Sequence, residues 1–177
     1  MKIILGADHG GWRMKEEIKR WLKNEGHEVL DRGAFEKDDN DDYVDFAVLV
    51  AKELEKNSKA KGILFCRNGF GMVIAANRFS WVRCGLGFDK GAVERGRMDD
   101  DINCLAIPAD YVDLKKVKEM IGVFLKTKFS EEERYKRRLD KLRHLSLQDD
   151  FDFFAKVRGM GEQIDAVMSV RKDRDLH

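Results

Sequence analysis

Proline is nearly absent from this 177-residue chain. Pro108 stands alone, and no low-complexity tract or internal repeat accompanies it, so no proline-rich linker divides the sequence. Long apolar runs are missing as well. Met1-Lys2-Ile3-Ile4-Leu5-Gly6 leads directly into charged and glycine residues, and no later stretch reaches the ~18 apolar residues that a membrane span needs. Cysteine is scarce: Cys66, Cys84 and Cys104 are odd in number and far apart, and each is set in an apolar run. That pattern excludes a disulfide framework and a paired zinc-type spacing, and it suits reduced core thiols in a reducing compartment. The cytoplasm is therefore the expected location. Net charge is also close to zero, with 34 basic against 33 acidic residues, so no global field directs the chain to nucleic acid or an anionic membrane.

What is present is enough chain for a real core, because a domain of this size buries roughly two thirds of the surface of its unfolded form. Short apolar runs alternate with longer amphipathic stretches, the pattern of parallel strands joined by crossover helices. Strands are expected at Lys2–Ala7, His27–Asp31, Gly62–Cys66, Val82–Gly87 and Asn103–Ile107. Met14, Ile18, Trp21 and Leu22 form one helical face; Phe46, Val50 and Leu54 form another; Leu114, Val117, Ile121, Phe124 and Leu125 form a third. The expected fold is α/β: a three-layer α/β/α arrangement around a five-stranded parallel, Rossmann-like sheet, with a C-terminal helical extension. In such sheets ligands bind beyond the carboxyl ends of the strands. The first and third strands end there in Ala7-Asp8-His9-Gly10-Gly11 and Cys66-Arg67-Asn68-Gly69-Phe70-Gly71.

From Ser130 the character changes. Glu131–Arg143 reads as a charged helix with carboxylates in its first turn and Arg134, Arg137 and Arg138 along it. Phe151, Phe154, Val157, Ile164, Val167 and Met168 suggest a further amphipathic helix, although Gly159 and Gly161 each weaken it by about 1 kcal/mol. This tail reads as a packing or oligomerisation element.

The third-strand loop carries the strongest chemical signal. A thiol, glycines and the start of a helix over Phe70–Arg78 meet within a few residues. Glycines let a backbone approach a ligand, and helix-start amides attract negative charge. Cys66 placed there, with Arg67 beside it, is expected to have a lowered pKa and to act as base or nucleophile. The spacing serves a buried strand-end thiol equally well, and Gly69-x-Gly71 alone fits a nucleotide loop or a tight turn. His9 is placed to meet a phosphate or a hydroxyl, and Asp8 to accept from a sugar hydroxyl or simply to cap the first helix. His27 reads as structural, and His144 and His177 carry no signal. The acidic runs at 38–42 and 99–101 lack the glycine and terminal glutamate of a calcium loop, so the first reads as a solvated loop. The arginines of the charged helix could clamp phosphate or merely face solvent.

Taken in order, Gly6-Ala7-Asp8-His9-Gly10-Gly11, Gly26-His27-Glu28-Val29-Leu30-Asp31-Arg32-Gly33, Asp42-Tyr43, Gly62-Ile63-Leu64-Phe65-Cys66, Gly69-Phe70-Gly71-Met72 and Ile74-Ala75-Ala76-Asn77 resemble the type B ribose 5-phosphate isomerases. That family also holds galactose 6-phosphate isomerase subunits and allose 6-phosphate isomerases. The resemblance covers residues 1–142, leaving 143–177 as the extension. It implies an aldose-ketose isomerase, by default converting ribose 5-phosphate to ribulose 5-phosphate, with no metal or other cofactor. It also implies a homodimer or dimer of dimers whose pocket is shared between subunits.

On the resemblance Cys66 is the proton-shuttling base, Asn68 stands where a threonine or serine assists the enediolate, and the amides of Gly69 and Gly71 line an anion hole. Asp8 and Tyr43 contact sugar hydroxyls, and His9, Arg134 and Arg138 contact phosphate. Beyond Asn68, the chain departs from the family at four positions. Asp99-Asp100 replace a His-Asn pair whose histidine opens the sugar ring, which makes Asp99 the candidate replacement base and Asp100 a candidate substrate contact. Asp110 stands in place of an arginine, and Arg67 in place of a glycine, adding a cation beside Cys66. In the family's dimer, positions 99, 100 and 110 reach the pocket from the partner. Two other readings compete: a sugar-phosphate-binding or complementing subunit with an altered half-site, and a doubly wound nucleotide-binding module. The latter lacks the full glycine fingerprint and the acidic residue about 20 positions on.

Overall fold

The structure, a computed structural model, describes residues 1–143. The expected helix beyond Phe151, together with His144 and His177, lies outside the described residues. The chain divides into two compact units, Met1–Tyr135 and Lys136–His177. The first unit holds β1 (Lys2–Ala7), α1 (Trp12–Asn24), β2 (Glu28–Asp31), α2 (Tyr43–Lys56), β3 (Lys61–Cys66), α3 (Phe70–Ala76), β4 (Cys84–Leu86), α4 (Lys90–Asp100), β5 (Cys104–Pro108) and α5 (Leu114–Lys126). The last described element, α6 (Glu133–Arg143), starts in the first unit and ends in the second.

The five strands form one parallel sheet in the order β2-β1-β3-β5-β4. Side chains alternate across it, as the period of a strand requires. Ile3, Leu5, Ala7, Ile63, Phe65, Leu105 and Ile107 meet α1, α4 and α5 on one face; Ile4, Leu64, Cys66, Cys104 and Ala106 meet α2 and α3 on the other. Ile18 and Leu22, Val50 and Leu54, and Val117, Ile121 and Phe124 are the buried stripes of their helices. Each such fully buried side chain contributes about 1.5–3 kcal/mol relative to exposure. The chain leaves β1 toward one edge and β3 toward the other, so the switch point lies between the carboxyl ends of these two strands.

Several strand limits shift from the sequence expectation by one residue, and three boundaries differ for a visible local reason. β4 starts at Cys84 instead of Val82, because the Asn77 side chain accepts from Cys84 N at 2.8 Å and donates to Cys84 O at 2.9 Å, closing α3 onto the strand. The third helix accordingly ends at Ala76, not Arg78. Glu131 adopts a left-handed φ of 57°, and α6 begins only at Glu133.

Lys15 is a fully buried cation that the helical periodicity does not reveal. Its ammonium donates to Asp31 Oδ1 at 2.7 Å and to the Ala34 carbonyl at 2.5 Å, tying α1 to the turn after β2. The pairing and the carbonyl together offset the desolvation that an unpaired buried charge could not survive.

Two glycines test the packing in opposite senses. A Cβ on Gly11 would overlap the main-chain carbonyl of Phe65, whereas one on Gly122, inside α5, would meet nothing within 4 Å. Gly122→Ala should therefore raise stability by about 0.5–1 kcal/mol, and Gly11→Ala should lower it, in denaturant unfolding. A second test concerns Lys61, whose amine is lowered to about 8 by burial and then by Arg97 and Arg83, against the pull of Asp101. Between about 8 and the ordinary lysine value the unfolded chain holds the extra proton, so stability should rise with pH across that window. Lys61→Met should abolish the rise in unfolding free energy measured from pH 7.5 to about 10.

Candidate functional site

At the switch point the β1 and β3 loops lie against each other. Gly11 has no side chain, so the first turn of α1 rests on Phe65, and Asp8 N donates to the Phe65 carbonyl at 3.3 Å. The N-cap of α1 is Gly11 and makes no side-chain cap bond; Asp8 Oδ1 instead accepts from Gly11 N at 2.9 Å, bracing the turn before the helix. The simple helix-cap role for Asp8 is thus replaced by a turn brace. Burial raises its carboxyl above the ordinary range, against the Gly11 amide and His9.

Cys66 ends β3 and is 5% exposed. Its Sγ accepts from the Gly69 amide at 3.1 Å, an approach made possible by the left-handed φ of 80° at Gly69. The expectation of a lowered thiol pKa is overturned. Burial pushes the thiol up, the Asp8 carboxylate adds to the rise, and the amides of Gly69, Met72 and Asn68 offset only part of it. Arg67 does not reverse this because its side chain is 69% exposed and reaches outward. The Gly69 amide, expected in an anion hole, is directed at the sulfur.

Around this thiol the other loops supply polar groups. The Tyr43 ring packs on Gly71, where a Cβ would come within 2.8 Å of Cε2 and Cζ. Asn68 Oδ1 accepts from Phe70 N at 3.1 Å, leaving its amide nitrogen as the donor a hydroxyl would have been. The Arg67 stem covers Gly10, and its guanidinium stands 3.8 Å from the Asp110 carboxylate. Asp110 thus stands beside the loop that follows the thiol in its own chain. The reason is the β3–β5 ladder, which continues past the strand ends through Ala109 N to Cys66 O at 2.8 Å and Asp110 N to Arg67 O at 3.0 Å. His9 Nδ1 lies 2.7 Å from Asp41 Oδ1, so the 38–42 run is not wholly a solvated loop.

The remaining candidates lie at the other edge of the sheet. α4 runs back to the amino ends, where Asp101 at its C-cap pairs with Arg83 at 2.6 Å and with Arg97 at 2.7 Å. Asp99 and Asp100 belong to this edge. Asp99 shares a hydrogen bond with the Tyr135 hydroxyl, which together with burial raises that phenol. Its Oδ1 has no hydrogen-bond partner among the described residues, the Arg95 guanidinium being 3.9 Å away. α5 also returns the chain here: Ser130 N donates to Met98 O at 3.0 Å, and Arg134 pairs with Glu132 at 2.9 Å while stacking on Tyr135. One chain thus does not bring Arg134 to His9, contrary to a phosphate clamp built from a single copy. Arg138 lies in the second unit. Among the described residues no three His, Cys, Asp or Glu side chains gather as a metal site, and no helix is long and apolar enough to cross a membrane.

Sequence reasoning missed Asp41 and Asp101. Each sits in a run of acids whose members look alike, and only the tertiary partner distinguishes one from its neighbours.

Comparison with known proteins agrees with this geometry. The sequence model described as Ribose/Galactose Isomerase matches residues 3–142. A probable ribose-5-phosphate isomerase B of Mycoplasma genitalium is 37% identical over 141 residues, covering 79% of this chain and 92% of that protein. The ribose-5-phosphate isomerase B of Mycobacterium tuberculosis is 31% identical over 142 residues, covering 80% and 88%. Among solved structures, the Thermotoga maritima ribose 5-phosphate isomerase superposes with a TM-score of 0.78 at 31% identity, over 81% of this chain and 98% of that one. The Mycoplasma genitalium enzyme with bound ribulose-5-phosphate gives 0.77 at 35% identity, over 80% and 93%. With a family match spanning most of its length and relatives this similar, the chain belongs to the ribose/galactose isomerase family.

Proposed function

We propose that this protein is an aldose-ketose isomerase that interconverts ribose 5-phosphate and ribulose 5-phosphate through an enediolate. The observation that carries the reading is the Cys66 sulfur, buried at the β3 terminus with a peptide amide on it and the Asp8 carboxylate nearby, in a chain of this family. Relatives named as isomerases favour a catalytic role over a complementing subunit.

As thiolate, Cys66 removes the C2 proton of the open-chain sugar and returns it to C1, while the hydroxyl proton moves from O2 to O1. A thiol raised by burial is seldom ionised at neutral pH but is a stronger base once it is. Sugar hydroxyls are assigned to Asp8 and Tyr43, and enediolate charge to the Gly71 amide and the Asn68 side chain. His9 takes the phosphate, with Arg67 as a second cation from the same chain.

Asp99, Asp100, Arg134 and Arg138 are assigned to the pocket of a second copy in a homodimer, since Asp99 and Arg134 lie at the sheet edge opposite Cys66. In that pocket Asp99 takes the part of the ring-opening base. Three free, buried cysteines are in keeping with a cytoplasmic location.

An assay of aldose-ketose conversion across pentose and hexose phosphates tests the reading; no turnover of any pentose phosphate would sink it. Cys66→Ala should abolish isomerisation while sugar-phosphate binding stays within a few fold, as equilibrium binding and kcat would report. Because its pKa is raised, alkylation of Cys66 by iodoacetamide should keep accelerating above the ordinary thiol range, and a plateau below that range would contradict the electrostatics described.

Arg67→Met should raise KM for ribose 5-phosphate by about 3- to 30-fold, the value of a charge-assisted contact discounted for exposure. Ribose itself should be unaffected. An equal effect on the phosphorylated and unphosphorylated sugar would remove Arg67 from the phosphate site.

A further inference from the structure

Asp41 is an unexpected member of the carboxyl-edge loops. It sits in the acidic run before α2, yet its side chain is only 11% exposed. Its Oδ1 accepts from the His9 main-chain amide at 3.0 Å and lies 2.7 Å from His9 Nδ1. Its Oδ2 is buried and has no hydrogen-bond partner among the described residues. A buried carboxylate oxygen left unpaired is unfavourable. A purely structural aspartate in such a loop bonds its own backbone, as Asp38 does in accepting from Asn40 N at 3.0 Å. Asp41 does not: every hydrogen bond of its side chain goes to His9, 32 residues away in sequence.

We propose that Asp41 is the positioning residue for His9, gripping the ring at Nδ1 so that Nε2 is presented to the phosphate of the substrate. This rests on the phosphate role of His9 given above. The bifurcated grip fixes both the main chain and the ring of His9, so that neither χ angle of the imidazole is free to turn Nε2 away. With Nδ1 facing a carboxylate, Nδ1 is the donor of that contact, which leaves Nε2 as the ring atom aimed at a phosphate oxygen. The other charged groups around His9 are the carboxylates of Asp8 and Asp39 and the Arg67 side chain, which lies over Gly10. None of them is hydrogen-bonded to the ring among the described residues, which leaves its orientation to Asp41.

The test combines inorganic phosphate binding, followed by calorimetry, with KM and kcat for ribose 5-phosphate in the full chain and in Asp41→Asn, His9→Gln and the double variant. Asp41→Asn should weaken phosphate by about 5- to 30-fold and raise KM by a similar factor, with kcat changing less. In the His9→Gln background it should add nothing, because the effect passes through the ring. Equal losses in both backgrounds, or phosphate binding unchanged by Asp41→Asn, overturn the assignment. Weakened phosphate binding in a protein that isomerises no sugar phosphate would uphold Asp41 and defeat the isomerase reading. Normal turnover with no phosphate effect would do the reverse. Should Asp41→Asn fail to fold, ring-nitrogen NMR of the unmodified protein decides: a proton on His9 Nδ1 supports the grip, and an Nε2–H tautomer with bare Nδ1 ends it.

Discussion

The close approach of Gly11 to the Phe65 main chain is the constraint from which the site follows. Only a residue without a Cβ allows the first turn of α1 to rest directly on the end of β3. That contact sets Asp8 N on the Phe65 carbonyl, and with it the Asp8 carboxylate close enough to the next residue of the strand, Cys66, to raise its thiol. The loop then carries His9 and Gly10 outward, where Gly10 receives the Arg67 stem. A wider spacing between the two loops would separate Cys66, Asp8 and His9 together.

Much of this was legible in the sequence because parallel strands buried on both faces read as short apolar runs, and amphipathic helices as apolar stripes. All five strands and the switch-point loops follow from that pattern. The chemistry was legible only in part. Cys66 and its glycines stand out by position, but the direction of its pKa does not: the sequence displays Arg67 next to the thiol and conceals that the guanidinium faces solvent while the sulfur faces the core. Lys15 is hidden for the opposite reason, since a lysine inside an amphipathic helix looks like a surface residue until Asp31 and the Ala34 carbonyl are seen around it.

Charge at the carboxyl edge is distributed economically. Asp8, Asp39, Asp41 and Asp110 are acids around the phosphate site proposed above, and repulsion from so many carboxylates would be severe if all faced the ligand. They do not face it equally. Asp41 is turned onto His9, Asp110 stands by Arg67, and Asp8 is raised by burial.

The separation of Cys66 from Asp99 and Arg134 by the length of the sheet has a genetic consequence. In a dimer of the proposed kind, the thiol of each copy works with the α4 end of its neighbour. A defect at the α4 end then disables the other subunit's site and spares the one containing its own thiol. Alleles damaged at opposite ends, expressed together, would rebuild one sound site in every mixed pair, whereas two alleles damaged at the same end could rebuild none.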